Sequence, residues 1–305
     1  MVNLKFLLRM MTWPESNITS ANVAINTLTT GLRFPEGPAF APDGSLWAVE
    51  LKGESLVRFQ KGQVARFQVG GQPNGIAIDA QCLIWFCDAG QRAIRRFDPQ
   101  TNRTDTIVTS LDNQPFDKPN DLAFDAIGNL VFTCPGESRQ EPTGYVCVLT
   151  TSGDVRKITD GKYFPNGLAF TADGRELIIA ETYRHRLWKG RWDAQTAQWT
   201  DAHIWATVDG PQGPGGPDGM AFGEDGNLYV AVYGTGKIHV INHGGQVIRY
   251  LNLPGQNPTN CAFDPTGRFS LVVTEAEKGE LLSCSIAVQG SHLFNPTVFI
   301  TPINQ

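Results

Sequence analysis

The 305-residue sequence predicts an all-β protein, specifically a six-bladed β-propeller with four antiparallel strands in each blade. Three observations support this prediction: a short phrase recurs six times, its copies are spaced by 38 to 52 residues, and the sequence between copies is strand-like. A period in the forties combined with β-type content is typical of propeller blades.

The recurring phrase contains a proline and an alanine at fixed positions. Its six copies are Phe34-Pro-Glu-Gly-Pro-Ala-Phe40, Gln72-Pro-Asn-Gly-Ile-Ala-Ile78, Lys118-Pro-Asn-Asp-Leu-Ala-Phe124, Phe164-Pro-Asn-Gly-Leu-Ala-Phe170, Gly216-Pro-Asp-Gly-Met-Ala-Phe222 and Asn257-Pro-Thr-Asn-Cys-Ala-Phe263. The six prolines are successively 38, 46, 46, 52 and 41 residues apart, and the residue after each proline varies. We expect each copy to begin the innermost strand of a blade.

A turn residue follows each copy and predicts a hairpin to the second strand. Five copies have glycine four residues after the phrase ends, at Gly44, Gly128, Gly174, Gly226 and Gly267. The second copy has Cys82 there. Three of these glycines follow an aspartate, and Asp-Gly pairs suit tight hairpins because they tolerate positive φ.

Apolar runs after these turns predict second strands that are buried on both faces between neighbouring blades. They are Leu46–Val49, Leu83–Phe86, Leu177–Ala180 and Leu228–Val232. Third and fourth strands are predicted from later runs, namely Leu56–Phe59 with Val64–Phe67, and Ile238–Ile241 with Gln246–Ile248.

The repeats fill the chain and predict a single propeller domain over residues 21–305. Residues 1–20 are predicted to be a loosely ordered N-terminal extension. The stretch from Ala24 to Leu32 is expected to add a strand to the last blade, because an open seam would leave an exposed strand edge.

Charge and composition exclude several classes of protein. A net charge of −5 argues against nucleic acid as a partner. No apolar run approaches the ~20 residues of a membrane helix. The six cysteines have no metal-binding spacing and are expected to be free thiols in a cytoplasmic protein. A monomer or homodimer is expected.

The residues after the six prolines are candidates for a functional site. Equivalent positions of a propeller form a ring around its axis, so Glu36, Asn74, Asn120, Asn166, Asp218 and Thr259 should converge at one mouth of the channel. Carboxylate and amide oxygens suit calcium, magnesium or manganese. Turn chemistry alone is the alternative: it explains Asn74 and Thr259 well, but it gives no reason for a glutamate at position 36.

Four of the motifs, in order, resemble the SMP-30/gluconolactonase/luciferin-regenerating family of six-bladed propellers. They are Pro35-Glu-Gly37, Pro119-Asn-Asp121, Pro165-Asn-Gly-Leu168 and Pro217-Asp-Gly-Met220, within a match over about residues 30–300. The resemblance implies that Glu36, Asn166 and Asp218 hold one divalent metal ion. Calcium is the expected ion, with zinc, manganese, magnesium and iron as alternatives.

The same resemblance implies hydrolysis of a sugar lactone, a small-molecule substrate. Asp218 is expected to move the proton of the attacking water, and Asn120, Lys118 and Asp121 to bind the substrate. Two stretches near the predicted channel mouth, Phe132-Thr-Cys-Pro135 and Cys87-Asp-Ala-Gly90, depart from the pattern of bacterial gluconolactonases and leave the identity of the lactone open. Another ester or phosphotriester hydrolase and a non-catalytic binding propeller are the rival hypotheses.

Overall fold

Each copy of the repeated phrase forms the innermost strand of a blade, and six blades surround a central channel. The computed structural model describes residues 19–21 and 23–303 and confirms the predicted fold. The innermost strands contact one another in cyclic order, so the ring is closed.

The strands are numbered in chain order. The first two are β1 (Thr19–Ala21) and β2 (Ala24–Thr29). Blades one and two comprise β3 (Pro35–Phe40), β4 (Leu46–Glu50), β5 (Ser55–Gln60), β6 (Gln63–Gln68), β7 (Pro73–Ile78), β8 (Ile84–Asp88), β9 (Ala93–Asp98) and β10 (Arg103–Val108). A small hairpin, β11 (Ser110–Leu111) and β12 (Gln114–Pro115), precedes blade three.

Blades three and four comprise β13 (Leu122–Phe124), β14 (Leu130–Cys134), β15 (Gly144–Leu149), β16 (Val155–Lys162), β17 (Pro165–Phe170), β18 (Glu176–Glu181), β19 (Arg186–Asp193) and β20 (Gln198–Thr207). Blades five and six comprise β21 (Gly216–Phe222), β22 (Leu228–Tyr233), β23 (Lys237–Ile241), β24 (Val247–Asn252), β25 (Pro258–Phe263), β26 (Leu271–Glu275) and β27 (Glu280–Ser285).

The N-terminal strand closes the ring, as predicted. β2 pairs antiparallel with β27 and is the outermost strand of blade six. Leu28 and Leu32 pack with Phe40 and Leu281 in the core between blades six and one. β1 adds a fifth strand to blade five, parallel to β24. The prediction of loose order for residues 1–20 falls mostly on residues 1–18, which lie outside the described residues.

The predicted hairpin turns and buried second strands are confirmed. The five turn glycines have positive φ values between 68° and 102°, and Cys82 adopts the same left-handed conformation at φ 63°. Of the predicted runs, those in β4, β18 and β22 are buried at every position, whereas Leu83 precedes β8 and is only half-buried. Six apolar clusters, one at each interface between blades, form the core.

Buried acidic side chains at the ends of four second strands hold the loops that lead into the repeated phrase. Glu50 accepts a hydrogen bond from the backbone N–H of Arg33 at 3.0 Å, and Glu181 accepts one from Tyr163 at 2.7 Å. Asp88 and Glu275 accept similar bonds from residues 72 and 257. These carboxylates fix the backbone one or two residues before a phrase proline.

The C-terminal segment, residues 286–303, crosses the end of the channel opposite those prolines. The N–H of Ser291 donates to the carbonyl of Phe222 in blade five, and the N–H of Ala80 in blade two donates to that of Pro296. The segment therefore ties together two blades on opposite sides of the ring.

No helix in the described ranges is long and apolar enough to cross a membrane. All six cysteines are free thiols, as predicted.

Candidate functional site

A β-bulge at the start of the innermost strands directs the variable residues toward the channel axis. In five blades the register between the first and second strands shifts within the residues that follow the phrase proline. A bulge bends the strand and re-aims the side chains next to it. In blade three, β13 begins only at Leu122, so Asn120 and Asp121 lie in irregular backbone ahead of it.

The predicted metal ligands come together at this end of the channel. Glu36, Asn166 and Asp218 are buried, with relative exposures of 6%, 6% and 8%. They belong to blades one, four and five. The charges of Glu36 and Asp121 both act on Asp218, so three acidic groups from different blades lie near one another.

Burial and mutual repulsion keep these three acids from ionising readily. Burial, followed by the charge of Asp121, raises the pKa of Glu36 to about 8. Burial raises the pKa of Asp121 to about 7. Burial, followed by the charges of Glu36 and Asp121, raises the pKa of Asp218 well above its ordinary value.

The three acidic side chains together resemble a cation-binding site, and in the described ranges no positively charged side chain neutralises them. Among residues 19–21 and 23–303, no lysine, arginine or histidine is a cause of the raised pKa of Glu36, Asp121 or Asp218. A buried carboxylate is stable when ionised only if it is paired or coordinates a metal. Within the described ranges, no three Asp, Glu, His or Cys side chains are placed so that they could hold a metal ion by themselves. An ion bound here would therefore need amide ligands as well. The predicted set includes such an amide in Asn166.

The amide of Asn166 is held by a threonine of the same blade. Its Nδ2 donates to Oγ1 of Thr182 at 3.2 Å, and the Thr182 hydroxyl donates to the carbonyl of Pro217 at 2.8 Å. The second bond reaches the residue before Asp218, so Thr182 links the ligand candidates of blades four and five. Asn166 thus donates from its NH₂ group to Thr182, and it also contacts Asp218.

Thr259 has a structural role, which is a hydrogen bond between blades and not a turn interaction. Its hydroxyl is fully buried and donates to the carbonyl of Pro35 at 2.8 Å. Pro35 is the residue directly before Glu36. Blade six thus positions the first ligand candidate from the neighbouring blade.

The next residue of each phrase forms a second ring deeper in the channel. Four of its members are glycines: Gly37, Gly75, Gly167 and Gly219. The other two, Asp121 and Asn260, come from opposite blades, and Asn260 Nδ2 donates to Asp121 Oδ2 at 3.4 Å. A Cβ on Gly75 would lie 2.1 Å from Asp121 Oδ1, so a glycine is needed there to make room for this side chain.

The predicted substrate-binding residues occupy three depths. Asp121 lies in the second ring, below Glu36 and Asp218. Asn120 is half-buried, and its carbonyl accepts a hydrogen bond from the N–H of Gly75 at 2.8 Å. Lys118 is exposed and forms an ion pair with Glu137.

A cavity lies on the other side of the Asp121–Asn260 contact. It measures about 450 Å³, and its walls include the repeated alanines and the C-terminal segment around Phe294. Glu36, Asn166 and Asp218 do not line it. The ionisable groups and the amide meet at the proline end of the channel, whereas this chamber is walled mainly by apolar side chains.

Sequence reasoning missed two neighbours of the site. Thr182 directly follows the acidic residue that ends β18. This position was the only feature of the sequence that could have indicated a place for Thr182 near the site. Tyr233 ends β22, and burial together with the charges of Asp218 and Glu36 raises its pKa. Neither residue lies within a repeated phrase, so the repeat alone could not identify them.

Comparisons with known proteins agree with this architecture. The family model described as the SMP-30/Gluconolactonase/LRE-like region matches residues 34–277. The diisopropyl-fluorophosphatase of Loligo vulgaris is 32% identical over 253 residues, covering 77% of this chain and 78% of that protein. A gluconolactonase of Zymomonas mobilis is 26% identical over 283 residues, covering 82% and 79%.

Among solved structures, a calcium-binding protein, regucalcin from Agrobacterium tumefaciens, superposes with a TM-score of 0.80 at 21% identity, covering 92% of this chain and 99% of that one. At that identity the likeness concerns the fold alone. The family model spans most of the chain, and the 32% identity extends over three quarters of it. The chain therefore belongs to the SMP-30/gluconolactonase/LRE-like family.

Proposed function

We propose that this protein is a metal-dependent hydrolase that opens a lactone, with sugar lactones as the first substrates to test. The observation that carries the proposal is the meeting of Glu36, Asp121 and Asp218 in buried surroundings without a protein cation. The gluconolactonase relative, at 26% identity, supports a sugar lactone as the substrate.

Glu36, Asn166 and Asp218 would hold one divalent ion, with Asn120 as a further ligand or a substrate contact. Their oxygen donors suit calcium, and magnesium, manganese, zinc or iron are the alternatives. When bound, the ion supplies Lewis-acid polarisation of the lactone carbonyl.

Asp218 is the proposed general base. Water adds to the carbonyl carbon while Asp218 accepts one of its protons. The bond between that carbon and the ring oxygen then breaks, and Asp218 returns the proton to the departing oxygen. The product is an open hydroxy acid, so one water molecule is consumed and no redox partner is needed.

Other residues orient the reactants. Thr182 holds Asn166, and Thr259 holds the carbonyl of Pro35, the residue before Glu36. Lys118 at the rim would attract the carbonyl end of the substrate or the carboxylate of the product, and Asn120 and Asp121 would contact the acyl group from one side of the mouth.

Hydrolysis of a phosphotriester is the second candidate, favoured by the 32% identity to a diisopropyl-fluorophosphatase. The same polarising ion and base would act on a P=O group. A panel containing both lactones and a fluorogenic phosphotriester separates the two candidates by their relative kcat/KM.

The test of a catalytic role is Asp218→Asn, which keeps an oxygen ligand and removes the base. We expect metal binding by calorimetry to persist with reduced affinity, and lactone turnover to fall by at least about a hundredfold. Turnover near the wild-type rate with metal bound would exclude Asp218 as the base. Metal stabilisation without turnover of any lactone or phosphotriester in the wild type would favour a binding propeller.

A further inference from the structure

Aromatic side chains lie at the mouth of the channel in each of the three blades that carry a predicted metal ligand. Phe34 and Phe164 each lie two residues before the ligand candidate of their blade. In blade five that position is Gly216, and Tyr233 pairs with it from the neighbouring strand. The equivalent residues of the other three blades are polar: Gln72, Lys118 and Asn257.

These rings form two contacting pairs. Phe34 stacks on Tyr233 with centroids 6.5 Å apart and an interplanar angle of 28°. Phe164 meets Tyr183 edge to face at 5.4 Å. We call these four side chains the aromatic wall.

Glycine at position 216 lets the backbone of blade four approach closely between the two pairs. A Cβ on Gly216 would lie 2.2 Å from the carbonyl of Thr182, the residue before Tyr183. Tyr183 and Tyr233 therefore flank the same glycine. The wall extends from blade one past blade five to blade four, around the side of the mouth where Glu36, Asp218 and Asn166 lie.

The backbone holds both phenylalanines in an unfavourable conformation. Phe34 and Phe164 each have φ 61° and precede a proline, a combination that sterics disfavour for a bulky residue. Their carbonyls accept hydrogen bonds from Leu51 at 3.0 Å and Thr182 at 3.1 Å, the first residues of two equivalent 3-10 turns. Strain that the surroundings maintain is concentrated at ligand-binding sites.

The four rings are only half-buried, so they present apolar surface to whatever enters the mouth. Charged groups border them: Lys52 Nζ lies 4.8 Å from the Phe34 ring, and the Arg139 guanidinium lies 5.7 Å from the Phe164 ring. Next to Phe164, blade three supplies the Lys118–Glu137 ion pair, and Glu137 also pairs with Arg139. The aromatic wall is thus bordered by charged groups.

We propose that the aromatic wall selects lactones that carry an alkyl or aromatic substituent over polyhydroxylated ones. This inference rests on the proposed lactonase activity and moves its preferred substrate from sugar lactones to lactones with an apolar substituent. An apolar substituent buries its surface against the wall while the ester group faces the acidic residues. A hydroxyl placed against the faces of the rings loses water without gaining a hydrogen-bond partner there.

The test compares two six-membered lactones on the metal-loaded protein: one that carries a pentyl chain, and D-glucono-δ-lactone. Each kcat/KM is divided by the rate of alkaline hydrolysis of that lactone, because the two differ in intrinsic reactivity. We expect the wild type to prefer the pentyl lactone by at least about tenfold, the scale of a few buried methylenes.

The decisive variants are Phe34→Ala and Phe164→Ala. Each should lower kcat/KM for the pentyl lactone by about tenfold and change that for gluconolactone less than about twofold. Phe34→Leu, which keeps an apolar side chain, should retain most of the preference. Phe299→Ala is the matched control, since this ring is 83% exposed and belongs to the C-terminal segment. Equal losses on both lactones, or a wild-type preference for gluconolactone, would overturn the inference.

A binding measurement separates this inference from the proposed function. The lactam analogue of the pentyl lactone resists hydrolysis, and its Kd is measured by calorimetry on the metal-loaded wild type and the same variants. If no lactone is hydrolysed but the lactam binds more weakly to Phe34→Ala and Phe164→Ala, the binding role of the aromatic wall is supported and the lactonase proposal is wrong. If lactones are hydrolysed but the lactam binds all variants equally, the proposed role of the aromatic wall is wrong and the lactonase proposal is unaffected. Absence of lactam binding to the wild type also overturns the inference.

Discussion

The side-chain amide of Asn166 donates a hydrogen bond to the hydroxyl of Thr182, and this pairing sets the direction of the Asn166 carbonyl oxygen. Thr182 in turn donates to the backbone one residue before Asp218. Partners that orient a ligand in this way commonly change metal affinity by 10–100-fold when removed.

We therefore expect Thr182→Val, which removes the hydroxyl and keeps the shape, to weaken calcium binding by about tenfold. Isothermal titration of metal-stripped protein measures this change. Thr151→Val, at an exposed threonine, is the control and should leave the affinity unchanged. Equal affinities for the two variants would show that Thr182 does not orient a ligand.

Glu36→Gln should stabilise the metal-free protein at pH 8 and abolish its stabilisation by metal. Burial raises the pKa of Glu36 to about 8, so its ionisation opposes folding when no cation is present. A bound ion at a hundredfold excess over Kd adds about 2.7 kcal/mol of stability to the wild type. Thermal unfolding with chelator and with calcium measures both effects. A calcium-induced rise in Tm for Glu36→Gln equal to that of the wild type would remove Glu36 from the ligand set.

Removal of the buried carboxylate in Glu181→Gln should destabilise the propeller. Glu181 accepts hydrogen bonds from Arg186 at 2.5 Å, Trp188 at 2.6 Å and the N–H of Tyr163, and an amide cannot satisfy all three donors. The expected loss is roughly 3 kcal/mol, as for a broken buried ion pair. Denaturant unfolding measures it. The control is Glu176→Gln on the same strand, where the more exposed pair with Lys189 is worth less than about 1 kcal/mol. Equal losses would show that Glu181 does not anchor the loop.

The buried imidazole of His239 should make the fold sensitive to acid. Burial lowers its pKa to about 4, and neither ring nitrogen has a hydrogen-bond partner in the part of the chain that the structure describes. The unfolded chain binds a proton near pH 6.5 and the folded chain does so only near pH 4, so stability falls as the pH drops through this range. His239→Leu should reduce that fall by on the order of 2–3 kcal/mol. Unfolding midpoints from pH 7 to pH 4 measure the difference, with the exposed His203→Leu as control. Parallel curves for the wild type and His239→Leu would contradict the prediction.

Most of the fold could be predicted from the repeated phrase in the sequence. The phrase marked each innermost strand, the turn residues marked each hairpin, and Ala24–Thr29 closed the ring as expected. The C-terminal segment was not predicted, because residues 286–303 carry no copy of the phrase and contact blades that are distant in sequence.

The candidate site could be predicted from the sequence only for the residues that lie within the repeated phrase. Rotational equivalence brought Glu36, Asn166 and Asp218 to one mouth. The contact between Asp121 and Asn260 depends on two blades being opposite each other and on a glycine leaving room between them. Likewise, Tyr233 reaches the mouth through its pairing with Gly216, which only the strand register reveals.

The most direct test of the account is the lactone hydrolysis rate of the metal-stripped wild-type protein before and after metal is added back. The assay follows acid release with a pH indicator over aldono-1,4- and 1,5-lactones and the pentyl lactone, with calcium, magnesium, manganese, zinc and ferrous iron supplied singly. The account predicts negligible turnover by the stripped protein and recovery with at least one ion, most strongly calcium. Turnover that is unaffected by stripping, or silence on every lactone with every ion, would contradict it.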